Sequence, residues 1–417
     1  MGNRFKKLFS RAAVQSKDHP PSAAPLRSHT LRDNYRLTRE QHVYCLSVID
    51  RIQGLYEGAP EYVDHRGLDR ELYFPGNEWA DIIPVSGLRF RRAYNDINYF
   101  RLISPFAGFH LVFLDRADQR LHAEPWNGDV LSNMLEQGIS DEIIAFLADN
   151  VVPADRLTRC WGIDGRVVSC ADEYRQYVGN VPPRYIVRTP RLFGEIGVEV
   201  NGLLANPDIV LCQCRLNGML CSGVFDKLDS DIARRGRVRV LEIGPGYGPL
   251  GQALRAIYGD KLEYIAVDLP GVLYYPAVYL STLANGEGCH VLLPGDAVPE
   301  SFNFLFVGNH LLEELGDRLG PIDLALNTMS FPEMSAQQVG YYAKLLKRLL
   351  RPDGIVFEEN AALKPHHTDS KAVLAEVFPC RKKVSSDIVL TKNWCQDVWS
   401  SRYVPEVMNC TDTMLLR

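Results

Sequence analysis

The C-terminal half of the 417-residue sequence predicts an α/β fold with a mostly parallel sheet. Three short apolar runs, Val238–Ile243, Leu262–Asp268 and Ile322–Leu326, have the composition of strands that are buried on both faces. Stretches at Pro249–Tyr258 and Ser335–Leu350 have the hydrophobic period of helices. Because strands that alternate with helices form parallel sheets with crossover helices, these runs define one α/β domain.

The other strands of this sheet are less sharply marked. Gly354–Glu358 follows a turn signal and predicts a fourth clear strand, and Ile388–Leu390 and Thr413–Leu416 are candidate late strands. Two segments, Val291–Leu293 and Phe304–Val307, compete for the position after the second strand. The order along the chain favours the second segment, because a short helix follows it directly and leads into Ile322–Leu326.

The chain upstream divides into two segments. Residues 1–30 are polar, carry three prolines and predict a flexible tail. Residues 31–230 predict an α+β region that packs on the domain at 231–417 and supplies substrate contacts. Its predicted elements are helices at Thr38–Tyr56, Asp129–Gly138, Asp141–Asn150 and about Asn201–Ile232, with small strands and turns within Arg159–Val187.

Composition restricts the class of function. Hydrophobic residues make up 46% of the chain, charged residues 23%, and the formal net charge is −5, which predicts a soluble protein that does not bind nucleic acid through a broad basic face. No apolar run reaches the roughly 18 residues of a membrane span, and the basic start lacks a signal-peptide core. That start predicts a disordered tail, with weak contact to an anionic membrane surface as the alternative. The ten cysteines form no C-x-x-C pair and predict reduced thiols in a cytoplasmic protein.

A glycine-rich turn follows the first strand of the domain. Glu242 lies at the end of that strand, and Gly244, Gly246 and Gly248 alternate with other residues after it. Glycines in such a turn adopt positive φ values and let a ligand approach the backbone closely. Asp268 ends the second strand, where an acid reaches the ribose hydroxyls in Rossmann-type sites.

Two cofactor classes compete for this turn, and a structural turn without a ligand is a third interpretation. Gly246, Gly248 and Gly251 satisfy the G-x-G-x-x-G spacing of dinucleotide enzymes, but the triplet starts two residues late and Gly251 falls inside the helix. The other pattern is an acid followed by three alternating glycines, beginning at Glu242, and it resembles motif I of the Rossmann-like methyltransferases. An acid at the strand end suits the ammonium and sulfonium of S-adenosylmethionine and is a poor neighbour for pyrophosphate. The pattern therefore favours a methyltransferase.

Two further segments resemble, together with the glycine-rich turn, the motifs of a known family. Leu241–Gly248 is followed by Val267–Pro270, which is V-D-L-P, and by Asn327–Met334, which is N-T-M-S-F-P-E-M. In this order the segments resemble the E-I-G-x-G-Y-G, V-D-L-P and N-T-x-S-x-x-E-M motifs of the sugar O-methyltransferase family. The resemblance is specific over residues 230–360, and it is looser upstream, at Asn98–Arg101 and Phe106–His110.

The resemblance implies a Rossmann-like methyltransferase domain with a mostly parallel seven-stranded sheet. It also implies methyl transfer from S-adenosylmethionine to a sugar hydroxyl of a carbohydrate or glycan acceptor, in glycan or polysaccharide biosynthesis. Acceptor contacts at Arg101 and His110 rest on the looser upstream segments alone. The alternatives are an NAD-dependent sugar oxidoreductase, a methyltransferase of a phenol or a protein, and a binding subunit without catalysis. The acceptor sugar and the oligomeric state stay open.

Residues that follow strand ends form the candidate site, because ligands of such sheets bind beyond the carboxyl ends of the strands. Glu333 is the first candidate for the general base that a weakly nucleophilic hydroxyl requires, and an acid that offsets a helix dipole is the alternative. His310 is the second candidate, with a structural histidine as the alternative. Asn309 and Asn327 are predicted cofactor contacts.

The acceptor contacts and the metal content complete the prediction. Ser330 and His366 are predicted to contact the substrate, and for His366 the alternative is a solvated loop. No cluster of residues has metal-ligand spacing, so we predict a metal-independent enzyme, with a magnesium site at the strand ends as the alternative.

Overall fold

The computed structural model describes residues 28–29, 35–74, 101, 159–161, 167–195, 197–361, 366–384 and 395–402, and every structural statement below is about these residues. Two predicted helices and two predicted strands lie outside them, at Asp129–Gly138, Asp141–Asn150, Ile388–Leu390 and Thr413–Leu416.

The described elements alternate between strands and helices from residue 238 onward. The helices are α1 (Arg39–His65), α2 (Arg70–Tyr73), α3 (Cys170–Val178), α4 (Pro207–Cys221), α5 (Val224–Arg235), α6 (Pro249–Tyr258), α7 (Pro270–Leu283), α8 (Leu312–Leu319), α9 (Ala336–Leu349) and α10 (Ser370–Val377). The strands are β1 (Ser28–His29), β2 (Arg159–Trp161), β3 (Val167–Ser169), β4 (Gly197–Val200), β5 (Leu203–Ala205), β6 (Val238–Ile243), β7 (Leu262–Asp268), β8 (Cys289–Leu292), β9 (Phe304–Gly308), β10 (Ile322–Thr328), β11 (Leu350–Asn360), β12 (Cys380–Lys383) and β13 (Cys395–Ser400).

A mainly parallel sheet forms the centre of the molecule. Its order is β12-β13-β11-β10-β6-β7-β9-β8, which is eight strands in the described chain and one more than the sequence predicted. Strands β6 to β11 pair in parallel, whereas β13 is antiparallel to β11 and β12 is antiparallel to β13. The α/β, Rossmann-like fold is therefore as predicted.

Three strands of this sheet differ from the prediction: β12 and β13 occupy other residues than the two predicted late strands, and β8 is the segment that the chain order disfavoured beside β7. Both segments that competed for the place beside β7 are strands: β9 pairs with β7, as the chain order predicted, and β8 adds to its outer side. Because β6, β7, β9 and β10 run in the same direction, their carboxyl ends lie along one edge of the sheet. This edge carries the glycine-rich turn.

Helix α1 packs against α7 on one face of this sheet. It begins at a Thr38 capping box, as the sequence indicates, but continues past Tyr56 to His65. Val43, one of the residues whose spacing predicted the helix, is 58% exposed, while Ile49 and Ile52 are buried. The Sγ of Cys45 lies 3.0 Å from Thr282 Oγ1 of α7, within the contact between the two helices.

The structure corrects two upstream predictions. The continuous helix over about Asn201–Ile232 is wrong, because β5, α4 and α5 occupy this stretch. The Asn206 side chain caps α4 at the N–H of Ile209, and Gly223 separates the two helices with a φ of 76°. Arg159–Val187 contains α3 in addition to the predicted short strands.

Part of the segment predicted as a tail pairs with the upstream region. Ser28 and His29 form β1 and pair antiparallel with β4, which completes a three-stranded sheet in the order β1-β4-β5. This small sheet is separate from the central one.

Candidate functional site

The glycine turn after β6 is built from three residues with positive φ. Gly244, Gly246 and Gly248 have φ values of 71°, 58° and 96°, which side chains other than glycine rarely adopt. A Cβ on Gly244 would lie 2.4 Å from the Oγ of Ser330, whereas a Cβ on Gly246 would have no atom within 4 Å. Gly244 therefore allows close packing inside the protein, and Gly246 presents its backbone to open space.

The three sequence motifs of the family resemblance meet at this turn. The Gly244 N–H donates to the carbonyl of Val267, 2.9 Å away, at the start of the V-D-L-P segment. The Asn327 amide of the third segment donates to the carbonyl of Ile243 at 3.0 Å, and also to Ser330. Hydrogen bonds thus join segments that are far apart in the sequence at the carboxyl edge of the sheet.

Asn327 organises the turn from inside the protein. Its side chain is fully buried, and its oxygen accepts from the N–H of Phe331 at 3.2 Å and from the Asn360 amide at 2.9 Å. Ser330 donates to the same Ile243 carbonyl at 3.3 Å. Since these groups bond within the protein, the geometry supports a role in shaping the turn for both predicted contact residues.

Glu242 carries a buried carboxyl beneath the glycine turn. It accepts a hydrogen bond from the Tyr264 hydroxyl of the neighbouring strand. Burial raises the pKa of Glu242 to about 7, against the opposing effects of the Tyr264 bond and the positive charge of Arg215. A cation that arrived nearby would lower this pKa and hold the carboxylate in its charged form.

Asp268, at the end of β7, also has a raised pKa. The residue as a whole is partly exposed, and its carboxyl accepts a hydrogen bond from the N–H of Leu269 at 2.7 Å. The protein packed around it raises its pKa to about 7; the Leu269 bond opposes this change, while the charges of Glu242 and Glu333 add to it. The charges of Glu242 and Glu333 thus both act on the Asp268 carboxyl at the carboxyl edge of the sheet.

Glu333 lies outside the helix whose dipole was its alternative role. It ends the short 3-10 turn Phe331–Glu333, and α9 begins after it. The N-cap of α9 is Ser335, which forms a capping box with Gln338. The helix terminus is thus capped without Glu333.

The turn after β9 places Asn309 and His310 next to Asp268, because Gly308 pairs with that residue. Asn309 is buried and donates to the carbonyl of Tyr73 at 2.8 Å. His310 is also buried, with its ring edge against Tyr62 of α1, and no hydrogen bond reaches either ring nitrogen in the described chain. Burial lowers the pKa of His310 to about 4, so the ring is neutral at physiological pH.

The three predicted acceptor contacts outside these turns have different surroundings. His366 is exposed and lies edge-on to His367. Thr368 joins this stretch to the Glu333 turn, with its N–H donating to the Pro332 carbonyl at 3.0 Å. Arg101 is fully buried, and His110 lies outside the described residues.

Two residues near the turn carried no signal in the sequence. Arg215 of α4 reaches across to β11, where its Nε lies 2.9 Å from Glu359 Oε1, and its charge lowers the pKa of Glu242. Met329 lies between Asn327 and Ser330 with a φ of 65° and a side chain that is 38% exposed. A strained backbone and an exposed apolar side chain at a strand end are frequent at ligand sites. Both features arise from tertiary packing, which one sequence does not show.

Neither metal geometry nor a membrane helix is found in the described part of the chain. None of its groups of His, Cys, Asp and Glu is arranged as a metal site. None of its helices combines the length and the apolar character that crossing a membrane requires. Cavities of about 360 and 610 Å³ lie on other faces, one between α1 and β8 and one beside α6 and α7.

No family model matches the chain, and no curated protein matches it. Among solved structures, it is similar to the bifunctional kinase-methyltransferase WbdD, with 14% sequence identity, 46% of this chain and 41% of that chain covered, and a TM-score of 0.32. An O-methyltransferase family protein from Burkholderia thailandensis is 13% identical over 46% of this chain and 60% of that chain, with a TM-score of 0.29.

A TehB-like SAM-dependent methyltransferase from Corynebacterium glutamicum is 15% identical over 42% of this chain and 86% of that chain, with a TM-score of 0.28. The chain spans less than two thirds of the length of WbdD and of the Burkholderia protein. Likeness at these TM-scores carries no functional argument, so the case for function rests on the site.

Proposed function

We propose that this protein is an S-adenosylmethionine-dependent methyltransferase. One observation carries the proposal: Glu242 and Glu333 both act on the Asp268 carboxyl at the sheet edge that bears the exposed Gly246 backbone, and the pKa values of Glu242 and Asp268 are raised to about 7. A nearby cation stabilises the charged form of such carboxyls and lowers their pKa. A pyrophosphate in the same place would meet like charge, which disfavours a dinucleotide.

The residues of this edge fit the parts of the cofactor. Glu242 would balance the charge of the methionine ammonium and sulfonium, Gly246 would let the cofactor approach the backbone, and Asp268 would bind the ribose hydroxyls. Asn309 follows β9 beside Asp268, where it would border the adenine. When bound, S-adenosylmethionine supplies an electrophilic methyl group.

The protein's own groups then orient the acceptor and move its proton. We propose a sugar hydroxyl as the acceptor, in a carbohydrate or glycan, because the three motifs that resemble the sugar O-methyltransferase family converge at this turn. Glu333 is the proposed general base, and Ser330 and His366 border the acceptor. A cytoplasmic location fits the seven cysteines whose side chains the structure describes, since all are free thiols and five are buried.

Calorimetry with S-adenosylhomocysteine and with NAD tests the proposal. We expect the chain to bind S-adenosylhomocysteine and not NAD, and Asp268→Ala to weaken that binding sharply. The matched control is Asp296→Ala, which removes an acid after β8, away from the glycine turn. Tight NAD binding without S-adenosylhomocysteine binding would refute the proposal and leave the oxidoreductase.

A further inference from the structure

A buried guanidinium stacks on the tyrosine of the glycine turn. The Cζ of Arg101 lies 3.5 Å from the ring centroid of Tyr247, and both side chains are buried. On another side, the Tyr247 ring meets Tyr279 of α7 in a perpendicular contact with ring centroids 5.2 Å apart. The ring is therefore held between a cation and an aromatic edge.

Tyr247 is the residue through which this contact reaches the cofactor turn. It lies between Gly246 and Gly248, which both have positive φ values. Glycines have more backbone freedom than other residues, so an unsupported turn would populate many conformations before a ligand arrived. Because the Tyr247 ring is held in place, the backbone of Gly246 and Gly248 is restricted to the observed conformation.

The charge of Arg101 is balanced by acids from the upstream region. Its Nε lies 3.0 Å from Glu195 Oε2, and its Nη2 lies 2.9 Å from Asp208 Oδ2. Asn206 donates to Glu195 Oε1 at 2.6 Å, which fixes the first acid in turn. A buried ion pair adds little net stability, so stability alone does not account for this arrangement. The two acids balance the charge of the guanidinium and hold its planar face in a defined position.

We propose that Arg101 is a positioning residue that preorganises the cofactor turn through Tyr247. This role differs from the acceptor contact that the sequence suggested, because Arg101 is fully buried. The inference rests on the proposed function, since it takes the turn to be the S-adenosylmethionine site. Preorganisation raises affinity by reducing the conformational entropy that is lost on binding. Arg101 is in this way coupled to the cofactor turn.

The test measures S-adenosylhomocysteine affinity by calorimetry, and the Tm without ligand, in the full chain. Arg101→Lys keeps the charge but removes the planar face, and we expect the affinity to fall about tenfold. Arg184→Lys is the matched control, because Arg184 pairs with Asp229 and borders the Tyr185 ring on another face of the protein. The control should keep wild-type affinity.

Substitution of Tyr247 gives the second arm. Tyr247→Phe keeps the ring and should bind like the wild type, whereas Tyr247→Leu should lose about tenfold in affinity. If both positions act through one stack, the Arg101→Lys/Tyr247→Leu double variant loses no more affinity than the larger single loss. Full additivity of the two losses would overturn the proposal, since it would show independent effects.

The remaining outcomes are also decisive. Arg101→Lys with wild-type affinity overturns the inference, and a wild-type chain that binds no S-adenosylhomocysteine refutes the proposed function instead. If Arg101→Lys does not fold, the decision passes to Tyr247→Leu, which leaves the buried ion pairs intact. That variant must lose affinity while its Tm stays near the wild-type value; unchanged affinity overturns the inference.

Discussion

Other residues than Glu333 cap the neighbouring helix and hold the neighbouring strand end. Ser335 and Gln338 cap α9, and Asn327 and Ser330 bond to the strand end before the turn. The carboxyl of Glu333 is close enough to raise the pKa of Asp268, which places it at the cofactor end of the sheet. These relations support its assignment as the base.

Replacement of Glu333 by Gln removes the proton acceptor and keeps the side-chain shape. We expect the rate of methyl transfer to fall by about 10²–10⁴, the usual contribution of general base catalysis. Transfer of labelled methyl from S-adenosylmethionine to a carbohydrate pool measures this rate, and S-adenosylhomocysteine affinity should be retained. A wild-type rate in this variant would move the role to His310 or to a loop histidine.

His310 gives the protein a pH-dependent stability. Burial lowers its pKa to about 4, below the value of about 6.5 in an unfolded chain. The unfolded state therefore binds the extra proton first, and the free energy of unfolding decreases as the pH falls from about 6.5 towards 4, by about 3 kcal/mol in total.

Urea unfolding between pH 7 and pH 4 measures this loss. His310→Leu is the comparison, because it removes the titrating ring and keeps an apolar side chain in the pocket. The variant should lose about 3 kcal/mol less than the wild type over this range. Equal losses in the two proteins would show that the acid sensitivity comes from other groups.

At the scale of single residues, the sequence predicts candidate site residues whose role depends on their position along a strand. Glu242 and Asp268 were predicted from their places at strand ends, and the charge of Glu242 contributes to the raised pKa of Asp268. Arg215 could not be found in this way, because its contact with Glu359 joins residues 144 positions apart. The stack of Arg101 on Tyr247 is likewise a tertiary contact without a local pattern.

The glycine turn is the element on which the site depends. Gly244→Ala would force a side chain into a φ of 71° and place its Cβ against Ser330. The unfavourable φ alone costs about 1–2 kcal/mol, and the contact displaces the Asn327–Ser330 arrangement as well. We expect a lower Tm and a sharp loss of S-adenosylhomocysteine affinity.

Gly236→Ala supplies the matched control for this element. Gly236 has a φ of 81° at the end of α5, and a Cβ there would have no atom within 4 Å. It should lower the Tm through backbone strain but leave ligand affinity unchanged. The same loss of affinity in both variants would contradict a specific role for the turn.

At the scale of elements, prediction succeeds where the hydrophobic period is clear. Strands β6 and β7 and helix α6 have the bounds that their sequence patterns predict. Helix α7 gave no such signal, because it is buried on nearly all sides and has no polar face. The joined helix over about Asn201–Ile232 was wrong because Asn206 and Gly223 interrupt a stretch whose apolar content continues.

The whole molecule depends on contacts between its upstream and downstream regions. Helix α1 covers α7, and α4 brings Arg215 to the buried Glu359 of the central sheet. Gln396 of β13 also donates to the Cys214 carbonyl of α4, at 3.4 Å. These contacts join segments that the composition and the motifs describe separately.

A fragment of residues 231–417 should therefore not fold as the full chain does. Removal of α1 and α4 exposes the apolar side chains of α7 and takes away Arg215, the ion-pair partner of Glu359. We expect no cooperative thermal transition in the fragment by circular dichroism, with the full chain as control. A fragment that unfolds cooperatively and binds S-adenosylhomocysteine would contradict this prediction.

The central claim is that a cation binds among acids that are partly protonated near neutral pH. Calorimetry of S-adenosylmethionine binding at pH 7, in two buffers of different ionisation enthalpy, tests it most directly. Because Glu242 and Asp268 have pKa values of about 7, a bound cation should release up to about one proton, and affinity should rise from pH 6 to pH 8. Asp268→Asn should reduce the release. Binding without proton release, proton uptake, or no binding of S-adenosylmethionine would contradict the account.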